Sequence, residues 1–349
     1  MSAPTVGEFL RSRGVTRRDF MRFCASATAM LGLPASLTPR IATALEQAQR
    51  PSVIWLPFQE CTGCTESITR AHGATLESLI FEAISLDYQH TLQAAAGEAA
   101  EGARERAMQD HRGRYLLIVD GSVPTGNAGF GTIAGRDYRS MLEEAAEGAA
   151  AIIALGTCAT YGGIPGAAPN PTGAVPVGAI VKDKPIINVP GCPPIPVVIT
   201  GVLLQYLTFG QLPELDALGR PKAFYGQTIH DRCYRRPFYE RGQFAESFDD
   251  QGARAGWCLY KLGCKGPTTY NACATVKWNN GTSFPIEAGH GCIGCSEPGF
   301  WDQGGFYRPL STGNWGGARS VGTAVGVGAA LGIAAAALAR KRQRDAEGG

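Results

Sequence analysis

Ten of the eleven cysteines in this 349-residue chain fall into three groups, and cysteines grouped in this way bind metal. Cys61 and Cys64 form a CxxC just past an apolar run, and Cys158 and Cys192 each follow another apolar run. His230, Cys233, Cys258 and Cys264 make a second set, and Cys273, Cys292 and Cys295 a third that is one donor short. Three chemistries compete for these donors. Tight CxxC pairs are poor structural disulfides and better chelates. Structural zinc would accept the first set and, as Cys3His, the second, but it explains a three-cysteine set less readily. Iron–sulfur clusters accept four thiolates, tolerate a histidine in place of one, and also exist in a three-iron form. Iron–sulfur is therefore the preferred reading, with zinc and disulfides as alternatives. Because the chain carries no other redox cofactor motif, it reads as an electron wire.

These donors need a scaffold, and the sequence specifies one. Length suggests two domains, and 44% hydrophobic residues can fill a sizeable core. A net charge of +2 leaves no nucleic-acid footprint. Gly 46 and Pro 22 together favour the turns that wrap a metal centre. From Arg50 to about Phe209, apolar strand runs alternate with helical stretches. The strands read as Ser52–Leu56, Tyr115–Val119, Ala151–Leu155 and Ile186–Val189. Glu66–Ile84, Asp137–Glu147 and Pro196–Tyr206 read as helices, and Ala94–Gln109 as a solvated helix or excursion. This alternation predicts an α/β fold with a parallel sheet, in which ligands sit outside the carboxyl ends of strands. Three of the four strands are followed there by a cysteine of the first set. From about Pro221 the pattern changes to short segments, aromatics and cysteines, predicting a smaller irregular domain organised around metal; its polar stretch Arg235 to Gly256 reads as a surface helix with loops.

Both ends read as addresses. Thr16-Arg17-Arg18-Asp19-Phe20-Met21-Arg22 matches a twin-arginine export signal, followed by a modestly apolar stretch and an A-x-A cleavage site at Ala42-Thr43-Ala44. Cys24 falls in this leader and receives no role. Val321 to Ala339 carries no charged residue and precedes Arg340-Lys341-Arg342-Gln343-Arg344, as a single membrane span with a cytoplasmic basic tail would. The expected organisation is a signal peptide over 1–44, a sheet domain over 50–210, an iron–sulfur domain over 221–318, an anchor over 320–339 and a basic tail over 340–349.

The motifs around the donors resemble the small subunit of [NiFe]-hydrogenases of the membrane-bound uptake type. They are Glu60-Cys61-Thr62-Gly63-Cys64-Thr65-Glu66-Ser67, Gly156-Thr157-Cys158-Ala159, Pro190-Gly191-Cys192-Pro193-Pro194, His230-Asp231-Arg232-Cys233, Gly256-Trp257-Cys258-Leu259, Gly263-Cys264-Lys265-Gly266-Pro267 and Ala288-Gly289-His290-Gly291-Cys292-Ile293-Gly294-Cys295. The resemblance runs from about Ser52 to Leu310 and implies a flavodoxin-like first domain. It implies a proximal [4Fe–4S] cluster on Cys61, Cys64, Cys158 and Cys192, and a distal [4Fe–4S] cluster on His230, Cys233, Cys258 and Cys264. A medial [3Fe–4S] cluster would lie on Cys273, Cys292 and Cys295, with Pro285 standing where a fourth ligand would otherwise be. The chain lacks the second pair of CxxC motifs that nickel and iron require in this family. The resemblance thus implies a separate large subunit that splits H2, a membrane acceptor such as a cytochrome b, and a location on the periplasmic side of the cell membrane. No residue of this chain is expected to be catalytic.

Other residues carry less. His72, His90, His111 and His290 read as surface or hydrogen-bonded histidines, His290 being the one placed to donate to cluster sulfur. By resemblance Glu60 and Thr62 sit at the subunit junction near proton-transfer groups; a plain interface hydrogen bond or salt bridge is an equal reading. Gly126 to Gly135 is glycine-rich but lacks GxGxxG spacing. The aromatics from Trp301 to Tyr307 read as core or interface. Family members that work in air carry two more cysteines at the proximal site, and those places fall at Gly63 and Gly163. The resemblance therefore implies an ordinary cubane and an enzyme inhibited by air.

Overall fold

The computed structural model describes residues 5–310 apart from 13, 31–32, 48–49, 73–74, 77–79, 81–82 and 304. The expected anchor over 320–339 and tail over 340–349 lie outside the described residues. Among the described residues, no helix is long and apolar enough to cross a membrane.

Five parallel strands form the central sheet: β1 (Ser52–Pro57), β2 (Ser85–Gln89), β3 (Tyr115–Asp120), β4 (Ala149–Leu155) and β5 (Ile186–Val189). Their spatial order is β2-β1-β3-β4-β5, the flavodoxin-like order with its switch point between β1 and β3. β1, β3 and β4 are apolar runs buried along nearly their whole length, as strands covered on both faces must be. Alternation splits their side chains between two cores. Val53, Trp55, Leu116, Ile118, Ile153 and Leu155 enter one; Ile54, Leu56, Leu117, Val119, Ile152 and Ala154 enter the other.

β2 is a strand that the pattern does not reveal, and the helix expected over Glu66–Ile84 is interrupted after Thr69, with residues 76, 80 and 83 again helical. Its first part, α4 (Gly63–Thr69), follows three helices of the N-terminal segment: α1 (Val6–Ser12), α2 (Arg17–Met30) and α3 (Thr38–Gln47). The sequence Ser-Leu-Asp-Tyr-Gln carries too many polar groups to read as a buried strand. At the sheet edge those groups are satisfied: Asp87 accepts from Ser85 at 2.6 Å and from Ser52 of β1.

Helices α5 (Gly97–Asp110) and α6 (Tyr138–Glu147) cover the second core. Asp137 caps α6 by accepting from the Ser140 N–H at 2.9 Å. α5 is the largely solvated helix expected over Ala94–Gln109, with one departure. Its Arg104 is fully buried and pairs with Glu101 at 3.0 Å and Glu144 at 3.2 Å. A buried guanidinium reads as surface charge until the partners that neutralise it are known. The glycine-rich stretch forms a capped turn and a two-residue hairpin, Thr132–Ile133 against Arg136–Asp137.

The short helix α7 (Gly156–Tyr161) that follows β4 puts Ala159 into the second core, while the opposite face carries the apolar helix α8 (Pro196–Phe209), with α2 and α3 packed on it. Phe23, Cys24 and Ala27 of α2 share the first core with Val198 and Val202 of α8 and with Cys264, Cys273 and Cys292. Among the described residues after Pro221 no helix is longer than Arg236–Glu240, yet this segment is continuous with the sheet through this core. Within Arg235–Gly256 only the short helices Arg236–Glu240 and Gln251–Arg254 form, and Arg235 is buried, its guanidinium donating to the Trp257 carbonyl at 2.8 Å.

Candidate metal centres

Register brings the first set together. Pro57 pairs with Asp120, Asp120 with Leu155, and Leu155 with Val189, so β1, β3, β4 and β5 end in line. Cys61, Cys158 and Cys192 follow three of these ends by three or four residues, and Cys64 sits in the first turn of α4. Gly156, at the β4–α7 turn, has φ +83°, and a Cβ there would lie 2.5 Å from the Cys64 sulfur. Only glycine lets the two loops approach so closely.

The first set is the exposed one. Cys61 is open to solvent, while Cys64, Cys158 and Cys192 are half-buried. Burial pushes the Cys158 thiol up to about 11 and Cys192 to about 12, and the neighbouring cysteines push the same way. Burial and the facing Asp120 carboxylate hold the Cys64 thiol well above the usual range. Asp120 is itself pushed up to about 7, by burial and then by Glu60. Sequence reading passed over Asp120, although a carboxylate closing the run Tyr-Leu-Leu-Ile-Val-Asp at the switch point was a legible signal. Glu60 accepts from the Thr62 hydroxyl at 3.2 Å, an ordinary local hydrogen bond.

His230, Cys233, Cys258 and Cys264 line a single pocket together with Leu259 and Ile286. Burial and then Arg236 hold His230 below its usual value, which keeps the imidazole in the neutral form that ligates metal. Its ring meets Tyr239 edge-on, with centroids 4.6 Å apart. Cys258 and Cys264 are buried, and burial pushes Cys258 to about 12. In the third set Cys273 and Cys292 are buried and Cys295 half-buried; burial and then Cys295 push Cys273 to about 12. Pro285 is exposed between buried Phe284 and Ile286 and offers no donor atom. His290 pairs its Nδ1 with the Gly291 carbonyl oxygen at 2.8 Å and stacks on Phe248. Its contacts are thus backbone and aromatic, in line with the plainer expectation.

The three sets interlock. The Thr157 hydroxyl, beside Cys158, donates to the Cys295 carbonyl and accepts the Gly191 N–H at 2.9 Å. The Cys192 N–H faces the Cys295 sulfur. The Cys292 N–H donates to the Cys264 sulfur at 3.3 Å, and the Lys265 N–H returns to the Cys292 carbonyl at 2.7 Å. The loop Cys292–Cys295 therefore touches the first set at one end and the second at the other. Thr157 could not be identified from sequence, because its partners lie in loops remote along the chain.

The donor chemistry suits clusters. None of the eleven cysteines is disulfide-bonded, although the sets are packed together. Thiols held protonated by burial and mutual repulsion give stable thiolates only when metal replaces the protons. Backbone N–H groups already aim at sulfur, from Gly266 to Cys264 at 3.4 Å and from Gly294 to Cys292 at 3.4 Å, as bonds that offset thiolate charge do. Among the described residues, no three His, Cys, Asp or Glu side chains converge at single-ion spacing.

Known proteins share this chain's sequence and fold. Residues 225–308 match the family of the C-terminal part of the NiFe/NiFeSe hydrogenase small subunit, and residues 61–206 match NADH ubiquinone oxidoreductase, 20 Kd subunit. The chain is 53% identical over 309 residues to an uptake hydrogenase small subunit of Azotobacter vinelandii, covering 88% of this chain and 86% of that one. It is 49% identical over 323 residues to the hydrogenase-1 small chain of Escherichia coli (strain K12), covering 92% and 87%. A solved [NiFeSe]-hydrogenase from Desulfomicrobium baculatum superposes with a TM-score of 0.70 at 34% identity, over 75% of this chain and 100% of that one. With relatives matched over most of their length and a shared fold, the chain belongs to the [NiFe]-hydrogenase small-subunit family.

Proposed function

We propose that this chain is the electron-transfer subunit of a membrane-bound uptake hydrogenase working on the periplasmic side. Cys61, Cys64, Cys158 and Cys192 would hold a proximal [4Fe–4S] cluster, and His230, Cys233, Cys258 and Cys264 a distal one. Cys273, Cys292 and Cys295 would hold a medial [3Fe–4S] cluster. When bound, the clusters carry single electrons from H2 oxidation on a separate nickel-bearing large subunit toward a membrane cytochrome b or similar haem protein. The observation that carries this reading is the serial order of the sets, with the Cys292–Cys295 loop contacting both neighbours. Cys61 and nearby Ile164 are exposed at the strand ends, which suits coverage by a large subunit. Arg17 and Arg18 are exposed on α2, where an export receptor can reach them.

Metal analysis of the purified complex tests the assignment. Iron and labile sulfide should be present in comparable amounts, and the oxidised complex should give the paramagnetic signal of a [3Fe–4S] cluster. Pro285→Cys should replace that signal with a four-iron cluster of lower potential. Zinc in place of iron, or four-iron clusters alone in the unmodified protein, would overturn the reading.

A further inference from the structure

Arg220 belongs to no donor set, yet it contacts the surroundings of two. It is 4% exposed. Its Nε donates to Asp216 at 2.8 Å and its Nη1 to Glu297 at 3.0 Å. The guanidinium carbon lies 5.3 Å from the Tyr270 ring centroid and 5.7 Å from that of Tyr225. Glu297 follows Cys295 by two residues and also accepts the Tyr270 N–H at 2.6 Å; Tyr270 precedes Cys273 by three. The Tyr225 hydroxyl donates to the carbonyl of Pro190, two residues before Cys192, at 2.7 Å. Tyr161, on the same short helix as Cys158, faces the guanidinium with its hydroxyl buried and without a hydrogen bond of ordinary geometry among the described residues.

One buried cation thus joins the segments that carry Cys158, Cys192, Cys273 and Cys295. We propose that Arg220 is a positioning residue that locks the first and third donor sets to each other and holds the potential of the third upward. The inference rests on the ligand assignment proposed above. A cation beside a cluster favours its more negative, reduced state, and burial strengthens the effect because little water screens it. Asp216 offsets that charge from its own turn, where it also accepts the N–H groups of Leu218 and Arg220. Deleting the guanidinium and deleting the Asp216 charge should therefore act with opposite sign. A residue that served packing alone would move both variants the same way.

Paramagnetic resonance during a redox titration of the purified heterodimer distinguishes these outcomes. Relative to unmodified protein, Arg220→Gln should lower the midpoint of the three-iron signal and Asp216→Asn should raise it. Arg220→Lys should stay close to the unmodified value, because it retains the charge. The second set, outside the Arg220 contacts, should shift less in each variant. Shifts of one sign in both charge-deleting variants, or none with iron content intact, overturn the proposal. If Arg220→Gln does not assemble, Asp216→Asn still tests the charge: a midpoint that falls or stays unmoved in that variant overturns the proposal. A missing three-iron signal in the unmodified complex would instead sink the ligand assignment, and this inference with it.

Discussion

The chain holds metal donors in two contrasting ways. In the sheet half, the donors hang from the ends of strands whose positions are fixed by two apolar cores. After Pro221, donors sit in or beside short turns such as His230–Arg232 and Tyr260–Leu262, where no long element sets their place. There the fixed points are backbone hydrogen bonds, several to sulfur. A strand-end site can exist before metal arrives. A site built from turns and buried thiols depends on metal for much of its order, because metal affinity and local folding are then one free energy.

Removing iron should separate the halves most sharply. With a chelator under reducing conditions, amides of residues 221–308 should lose hydrogen-exchange protection by about a thousandfold, roughly 4 kcal/mol of local stability. Amides of β1, β3 and β4 should lose far less. Equal loss in both regions would mean that the sheet also depends on its cluster, and the contrast would fail.

Single donors should follow the same division. Cys264→Ser removes a buried donor whose sulfur accepts the Cys292 and Gly266 N–H groups, so it should disturb the second and third sets together. Cys61→Ser removes an exposed donor at the rim of the first set and should spare the other two. Iron content and the paramagnetic signals of each variant check this. Loss confined to one cluster in Cys264→Ser would argue against the interlock.

The same contrast explains what the sequence made legible. Strand runs such as Tyr115–Asp120 are periodic and bounded by turns, so four strands and the edge that bears cysteines could be read directly. β2 escaped because an edge strand tolerates polar residues, and its Ser85, Asp87 and Gln89 erase the apolar signal. The helix read over Glu66–Ile84 missed the break after Thr69, which His72-Gly73 signals, because helix-forming residues resume beyond it and residues 76, 80 and 83 are again helical. Candidate donors stood out in both halves, since cysteine is rare and its flanking motifs are distinctive. The supports were not. Thr157, Arg220 and Arg104 act through partners far away in the chain, and sequence spacing carries no trace of such contacts.

The smallest expected effect concerns the two glycines at the first site. Gly63 has ordinary backbone angles at the start of α4, and a Cβ there would lie 3.2 Å from the Cys61 sulfur. Gly163 is different: its φ is +57°, and a Cβ would lie 2.6 Å from the Cys158 sulfur and 2.7 Å from its Cα. Gly63→Cys should cost under about 1 kcal/mol, whereas Gly163→Cys should cost about 1–3 kcal/mol because the turn after Cys158 must shift. Neither glycine can ligate iron, so hydrogen oxidation by the unmodified complex should fall sharply in air and recover on reduction. The double variant should not acquire steady turnover in air unless the turn from Cys158 to Gly163 is rebuilt as well. Thermal unfolding of the two single variants and hydrogen-driven dye reduction under sustained oxygen check both statements. If Gly163→Cys is as stable as Gly63→Cys, backbone strain does not guard this position; if the unmodified complex turns over steadily in air, the plain four-thiolate site is the wrong description.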